Sequence, residues 1–163
     1  MGNPKRHQAD GYILLAPYFK HDAPTTNKNS GWAKPLLARV IFANILNAFG
    51  LGCLDHAVTI KFDMPEKYKD GSETLSYTHA MITSYSPWDY KKDLKNTSKK
   101  TLVLVGENDE AMNASAYKEV IPKNMKLVIF PKISHMGIVV SDQTTVIIEN
   151  WLKDQTNYES SRS

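Results

Sequence analysis

The chain has 163 residues, with 20 lysines and arginines against 17 aspartates and glutamates, so its formal charge is only +3. That near-balance gives no indication of a nucleic-acid partner, and the 42% hydrophobic content excludes a chain that is disordered throughout. The single cysteine, Cys53, excludes an internal disulfide and a cysteine-based zinc site.

The first predicted element is a strand at residues 12–17, Tyr-Ile-Leu-Leu-Ala-Pro, and similar apolar runs occur at residues 101–106 and 126–131. Runs without a polar face are typical of strands buried on both sides, as in a parallel sheet between helices. We therefore expect an α/β fold.

The first run is too short for a signal-peptide core or a membrane span, and we expect a cytoplasmic protein.

Residues 31–98 are too many for a simple connection between the first two strands, and they carry a pattern of their own. Apolar residues at 35–49 form one stripe that stops at Gly50, as in an amphipathic helix. Residues 58–64 alternate between apolar and polar side chains and predict a half-buried strand, whereas residues 75–85 predict another helix. We expect this excursion to form a mixed cap over one edge of the sheet.

The rest of the chain is expected to complete the core. We interpret the lysine-rich run at residues 91–100 as a solvated linker. Residues 112–120 predict a crossover helix with Asn113 as its N-cap, and a closing amphipathic helix is expected to begin near Asp142. The polar residues 154–163 predict a disordered tail. The core then comprises residues 1–30 and 99–153.

An acid and a histidine follow two of the predicted strands. Asp109 lies in the loop Gly-Glu-Asn-Asp-Glu, and His135 lies in the loop Pro-Lys-Ile-Ser-His-Met-Gly after the next strand. Loops at the carboxyl ends of parallel strands share one crevice, so these two side chains are expected to meet. A carboxylate beside an imidazole fixes its tautomer and stabilises its charged form, which amounts to two thirds of a catalytic triad.

These two loops and the closing helix resemble the C-terminal half of an α/β-hydrolase, in particular the lysophospholipase-like and esterase-like serine hydrolases. The resemblance extends over residues 2–152 and is loosest over the cap. It implies a partial α/β-hydrolase fold, in which the three strands here are the family's sixth, seventh and eighth. It also implies that Asp109 is the triad acid and His135 the general base. Asp22 is the alternative acid, because some members are thought to take it from the loop after the sixth strand.

The nucleophile of that family is absent from this sequence. It is a serine in the strand-to-helix turn Gly-x-Ser-x-Gly, and no two glycines of this chain are four residues apart. In the family's chain order the nucleophile precedes the acid and the histidine, and one N–H of the oxyanion hole follows it directly. We therefore expect a chain that carries two triad members and is inactive alone.

Two functions are consistent with this pattern. The first is the C-terminal part of a serine hydrolase for a carboxylic ester or lysophospholipid, in which the helix at residues 35–49 shapes an acyl pocket. The second is a non-catalytic interaction module that pairs with a separate N-terminal half, or with itself, through the edge of the first strand. We expect no cofactor or metal, because the dinucleotide, phosphate-loop and metal-ligand spacings are absent, and no nucleic acid, because the charge is nearly balanced.

The other reactive side chains have ordinary explanations. Glu107 and Glu110 are expected to be solvated loop carboxylates, and Ser134 lies in the wrong loop to replace the missing serine. Cys53 follows no predicted strand and is expected to be a structural thiol. Surface or cap positions account for His21, His56 and His79.

Overall fold

A computed structural model describes the backbone of residues 9–160, and all of their side chains except those of Tyr68 and residues 156–160. The strands are β1 (Gly11–Leu15), β2 (Ala33–Pro35), β3 (Val58–Phe62), β4 (Ser76–Thr78), β5 (Lys100–Gly106) and β6 (Lys126–Phe130). The helices are α1 (Leu37–Ala48), α2 (His79–Tyr85), α3 (Tyr90–Asn96), α4 (Tyr117–Val120), α5 (Gly137–Val140) and α6 (Asp142–Ser160).

The core is a parallel sheet with the strand order β1-β5-β6, made by the three apolar runs that predicted strands. The central strand β5 is buried on both faces, as expected. The two outer strands differ, because each has a neighbour on one side only. Tyr12 and Leu15 of β1 are 43% and 37% exposed, and residues 127–129 of β6 are only half-buried, so the expectation that these two strands are buried on both sides was wrong.

Helices cover both faces of the parallel sheet. Alternate side chains of β5 point to opposite faces, so this strand contributes apolar side chains to both. On one face, Val103 and Val105 pack with Tyr90 and Leu94 of α3 and with Tyr117 of α4. On the other face, Leu102 and Leu104 pack with Ile138 of α5 and Trp151 of α6. The protein therefore has the predicted mixed α/β architecture, a three-stranded parallel sheet between helices.

Helix α3 occupies the lysine-rich run, where a solvated linker was expected. The Asp89 carboxylate caps the helix by accepting a hydrogen bond from the backbone N–H of Lys92 (3.0 Å). Tyr90 and Leu94, one turn apart, are buried, while the lysines of the same helix are exposed. These two side chains pack α3 against the parallel sheet. Helix α3 therefore belongs to the core, although the cap was expected to extend to residue 98.

The cap contains a small antiparallel sheet, β2-β3-β4, together with α1 and α2. The helix predicted at residues 35–49 is present as α1, and the strand predicted at residues 58–64 is present as β3. Residues 75–85 were expected to be one helix but are divided into β4 and α2. The division falls at Thr78, whose hydroxyl accepts a hydrogen bond from the backbone N–H of Met81 (3.3 Å) and so caps α2.

The connection after β5 is less helical than expected. A 3-10 turn at Ala114–Ala116 precedes the short helix α4, and the Asn113 side chain does not cap it. Its amide oxygen instead accepts a hydrogen bond from the Ser115 hydroxyl (2.8 Å) and does not accept one from a backbone N–H of the turn. The crossover helix is therefore shorter than the predicted residues 112–120.

The last helix is longer than expected. Helix α6 continues through Ser160, although a disordered tail was expected from residue 154; residues 161–163 lie outside the described part of the chain. Of the helices in residues 9–160, none is both long and apolar enough to cross a membrane.

Candidate active site

The loops that follow β5 and β6 are joined directly by their backbones. The N–H of Glu107 donates to the carbonyl of Phe130 (2.8 Å), and the N–H of Asn108 donates to the carbonyl of Ile133 (3.0 Å). Gly106 permits this approach, because a Cβ atom at that position would clash with the Ile133 carbonyl. The two loops are therefore held together independently of the side chains that they carry.

Asp109 and His135 meet where these loops join. The Oδ2 atom of Asp109 lies 2.8 Å from Nδ1 of His135. The Asp109 side chain is fully buried, and its Oδ1 accepts hydrogen bonds from the backbone N–H groups of Ala111 (2.9 Å) and Met112 (2.7 Å). Because an ionised carboxylate only accepts, we assign the shared proton to Nδ1 of His135. The contact expected from the sequence is present.

The opposite nitrogen of the imidazole, Nε2, faces away from Asp109. The His135 side chain remains 22% exposed, and no hydrogen bond from a described residue engages Nε2. The indole of Trp32, at the start of the cap, lies edge-on to the imidazole, with ring centroids 5.3 Å apart and an interplanar angle of 78°. An oriented imidazole with one accessible nitrogen has the geometry of a general base.

Glu110 has a role that the sequence did not indicate. It was expected to be a solvated loop carboxylate, but its Oε2 accepts a hydrogen bond from the backbone N–H of His135 (3.0 Å). Glu107, with the same expectation, is exposed. The only signal for Glu110 in the sequence is its position next to Asp109, which does not distinguish a bound carboxylate from a solvated one.

Asp22, the alternative acid, lies elsewhere. Its side chain is exposed, and no hydrogen bond joins it to His135 within the described residues. Its charge acts instead on Tyr18, whose pKa is raised by partial desolvation of its half-exposed ring and, to a lesser degree, by the negative charge of Asp22. The carboxylate that the structure brings to the imidazole is therefore that of Asp109.

Tyr117, at the start of α4, is close enough to Asp109 for the two side chains to interact electrostatically. Its side chain is fully buried, and its hydroxyl donates a hydrogen bond to the carbonyl of Pro17 (2.7 Å). Burial and the nearby charge of Asp109 raise the pKa of this hydroxyl well above its ordinary value. Tyr117 therefore stays protonated and links α4 to the segment after β1.

The remaining candidate side chains do not join the pair. His21 and His56 are exposed. Cys53 was expected to be a structural thiol, but it is also exposed, so it does not pack in the core. His79 is buried in the cap, where its Nε2 lies 3.1 Å from the amide oxygen of Asn44. The Ser134 hydroxyl accepts a hydrogen bond from the backbone N–H of Gly137 (3.2 Å). Over the residues described, no three His, Cys, Asp or Glu side chains are grouped as a metal site.

No protein-family model matches this chain, and no curated protein matches it.

Proposed function

We propose that this chain is the C-terminal part of an α/β-hydrolase that cleaves carboxylic esters, and that it supplies the acid and the general base of the catalytic triad. The observation that supports this proposal is the 2.8 Å contact between the Asp109 carboxylate and Nδ1 of His135. A buried carboxylate in this position holds the imidazole in the tautomer whose Nε2 accepts a proton, and it stabilises the imidazolium that forms.

In this proposal, Nε2 of His135 removes the proton of a serine hydroxyl as the serine oxygen bonds to the ester carbonyl carbon. The imidazolium then returns the proton to the alcohol as the ester C–O bond breaks, and water releases the acyl group in a second, similar cycle. The chain contains no Gly-x-Ser-x-Gly turn. The serine and the oxyanion hole therefore come from a segment outside this sequence, and this chain alone is inactive.

The proposed substrate class is a monoacyl lipid or another ester with an apolar acyl group. Helix α1 supports it, because five large apolar side chains on this helix and just after it are exposed and together offer a surface for an acyl chain. They are Leu37, Ile41, Phe42, Ile45 and Phe49.

The cytoplasmic location expected from the sequence stays a prediction.

Reconstitution tests the proposed function. The coding sequence next to that of this chain is searched for a segment with Gly-x-Ser-x-Gly, and the two segments are expressed together and purified as a complex. We expect the complex, but neither segment alone, to hydrolyse p-nitrophenyl butyrate and to be labelled on its serine by a fluorophosphonate. The matched control replaces that serine by alanine. A folded complex that neither hydrolyses the ester nor reacts with the probe would contradict the proposal.

A second candidate function is that of a non-catalytic interaction module, and the outer edge of β1 favours it, because no strand within residues 9–160 pairs with that edge. An unpaired strand edge is a template for another strand, and an added lysine blocks such pairing. We expect the isolated chain to self-associate with increasing concentration, and Tyr12→Lys to shift it towards the monomer in sedimentation velocity. The matched control is Tyr85→Lys, at an exposed tyrosine outside the parallel sheet. Equal behaviour of both variants would exclude β1 as the contact.

A further inference from the structure

Two adjacent carboxylates hold His135 at two different points. Asp109 binds the imidazole through Nδ1 (2.8 Å), and Glu110 binds the backbone N–H of the same residue (3.0 Å). The backbone bonds between the two loops end at Ile133, two residues before His135, so the backbone at His135 itself is held by other contacts. The second bond fixes that backbone relative to the turn that carries the acid.

The turn that carries both carboxylates is itself restrained. The Asp109 N–H donates to the carbonyl of Gly106 (3.2 Å), and the carbonyl of Glu110 accepts a hydrogen bond from the Asn27 amide (3.0 Å). The Asn27 N–H also donates to the carbonyl of Ala111 (3.2 Å). The segment after β1 therefore anchors the turn, and Glu110 transfers that restraint to the histidine loop.

We propose that Glu110 is a positioning residue, which holds the backbone of His135 so that the imidazole stays aligned with Asp109. The proposal rests on the proposed function for its catalytic consequence, but the alignment is measurable in this chain alone. The bond is charge-assisted, since the acceptor is a carboxylate, and such bonds are stronger than bonds between neutral groups. Removing it leaves a partly buried N–H without this acceptor.

The first test uses variants of the isolated chain. We expect Glu110→Ala to accelerate amide hydrogen exchange at His135 about tenfold and to broaden the low-field Nδ1–H resonance of its ring. Glu110→Gln retains an acceptor oxygen and is expected to restore most of both signals. The control is Glu107→Ala, which removes an exposed carboxylate from the same loop and is expected to change neither.

A second measurement applies even if Glu110→Ala does not fold. In the unaltered chain, a scalar coupling through the hydrogen bond is expected between the His135 amide nitrogen and the side-chain carboxyl carbon of Glu110. Absence of this coupling, or a folded Glu110→Ala variant in which both His135 signals are unchanged, would overturn the proposal.

The reconstituted complex separates this proposal from the proposed function. There, Glu110→Ala is expected to lower kcat about tenfold to a hundredfold with little change in KM, because displacement of a catalytic group slows the chemical step. A complex without activity, combined with the expected His135 signals, would refute the hydrolase function and leave the positioning role in place. Full activity of Glu110→Ala would refute the positioning role alone.

Discussion

Asp109→Asn is expected to lower kcat of the reconstituted complex for p-nitrophenyl butyrate by about four orders of magnitude, as the equivalent change does in serine proteases. An asparagine keeps one oxygen for the N–H groups of Ala111 and Met112, which places its NH₂ group opposite Nδ1 of His135. The imidazole then carries its proton on Nε2 and cannot accept one from serine. Nitrogen chemical shifts of the His135 ring in the isolated chain report this change of tautomer directly.

The matched control for this substitution is Asp22→Asn, which changes the other aspartate that qualified as the triad acid. Because Asp22 is exposed and does not reach His135 in the described structure, this variant is expected to keep at least half of the activity. The opposite pattern, with activity lost in Asp22→Asn and kept in Asp109→Asn, would show that the acid has been assigned to the wrong loop.

Leu104→Ala is expected to have the largest effect on stability, a loss of about 3 to 5 kcal/mol in the free energy of unfolding. Leu104 lies at the centre of β5 and is 0% exposed, packed with Phe130, Ile138 and Trp151. Truncation leaves a cavity between the sheet and α6 that the surrounding side chains cannot close. A loss of this size is a large part of the stability of a small domain. Urea denaturation followed by circular dichroism measures it.

Leu37→Ala provides the comparison, because it makes the same chemical change at a side chain that is 65% exposed. Its effect is expected to stay within about 0.5 kcal/mol. If the two variants unfold at the same urea concentration, the face of β5 that packs on α6 is not the core of the folded protein in solution.

Much of the architecture could be predicted because it depends on short patterns. The continuous apolar runs of β1, β5 and β6 identified the parallel sheet, and the stripe of α1 identified its helix. The failures have the same origin. Helix α3 buries only Tyr90 and Leu94 among its lysines, too few apolar residues to show a period, and the boundary between β4 and α2 depends on the cap at Thr78.

The sequence by itself determined that an acid and a histidine follow neighbouring buried strands, because loops at the carboxyl ends of parallel strands meet at one edge. Only the tertiary structure decided which groups touch the histidine. Asp109 and Glu110 reach His135 across 26 and 25 residues of chain, and Trp32 reaches it from the cap. Such contacts depend on how separate elements pack, to within about 1 Å, and local patterns of hydrophobicity do not encode distances on that scale.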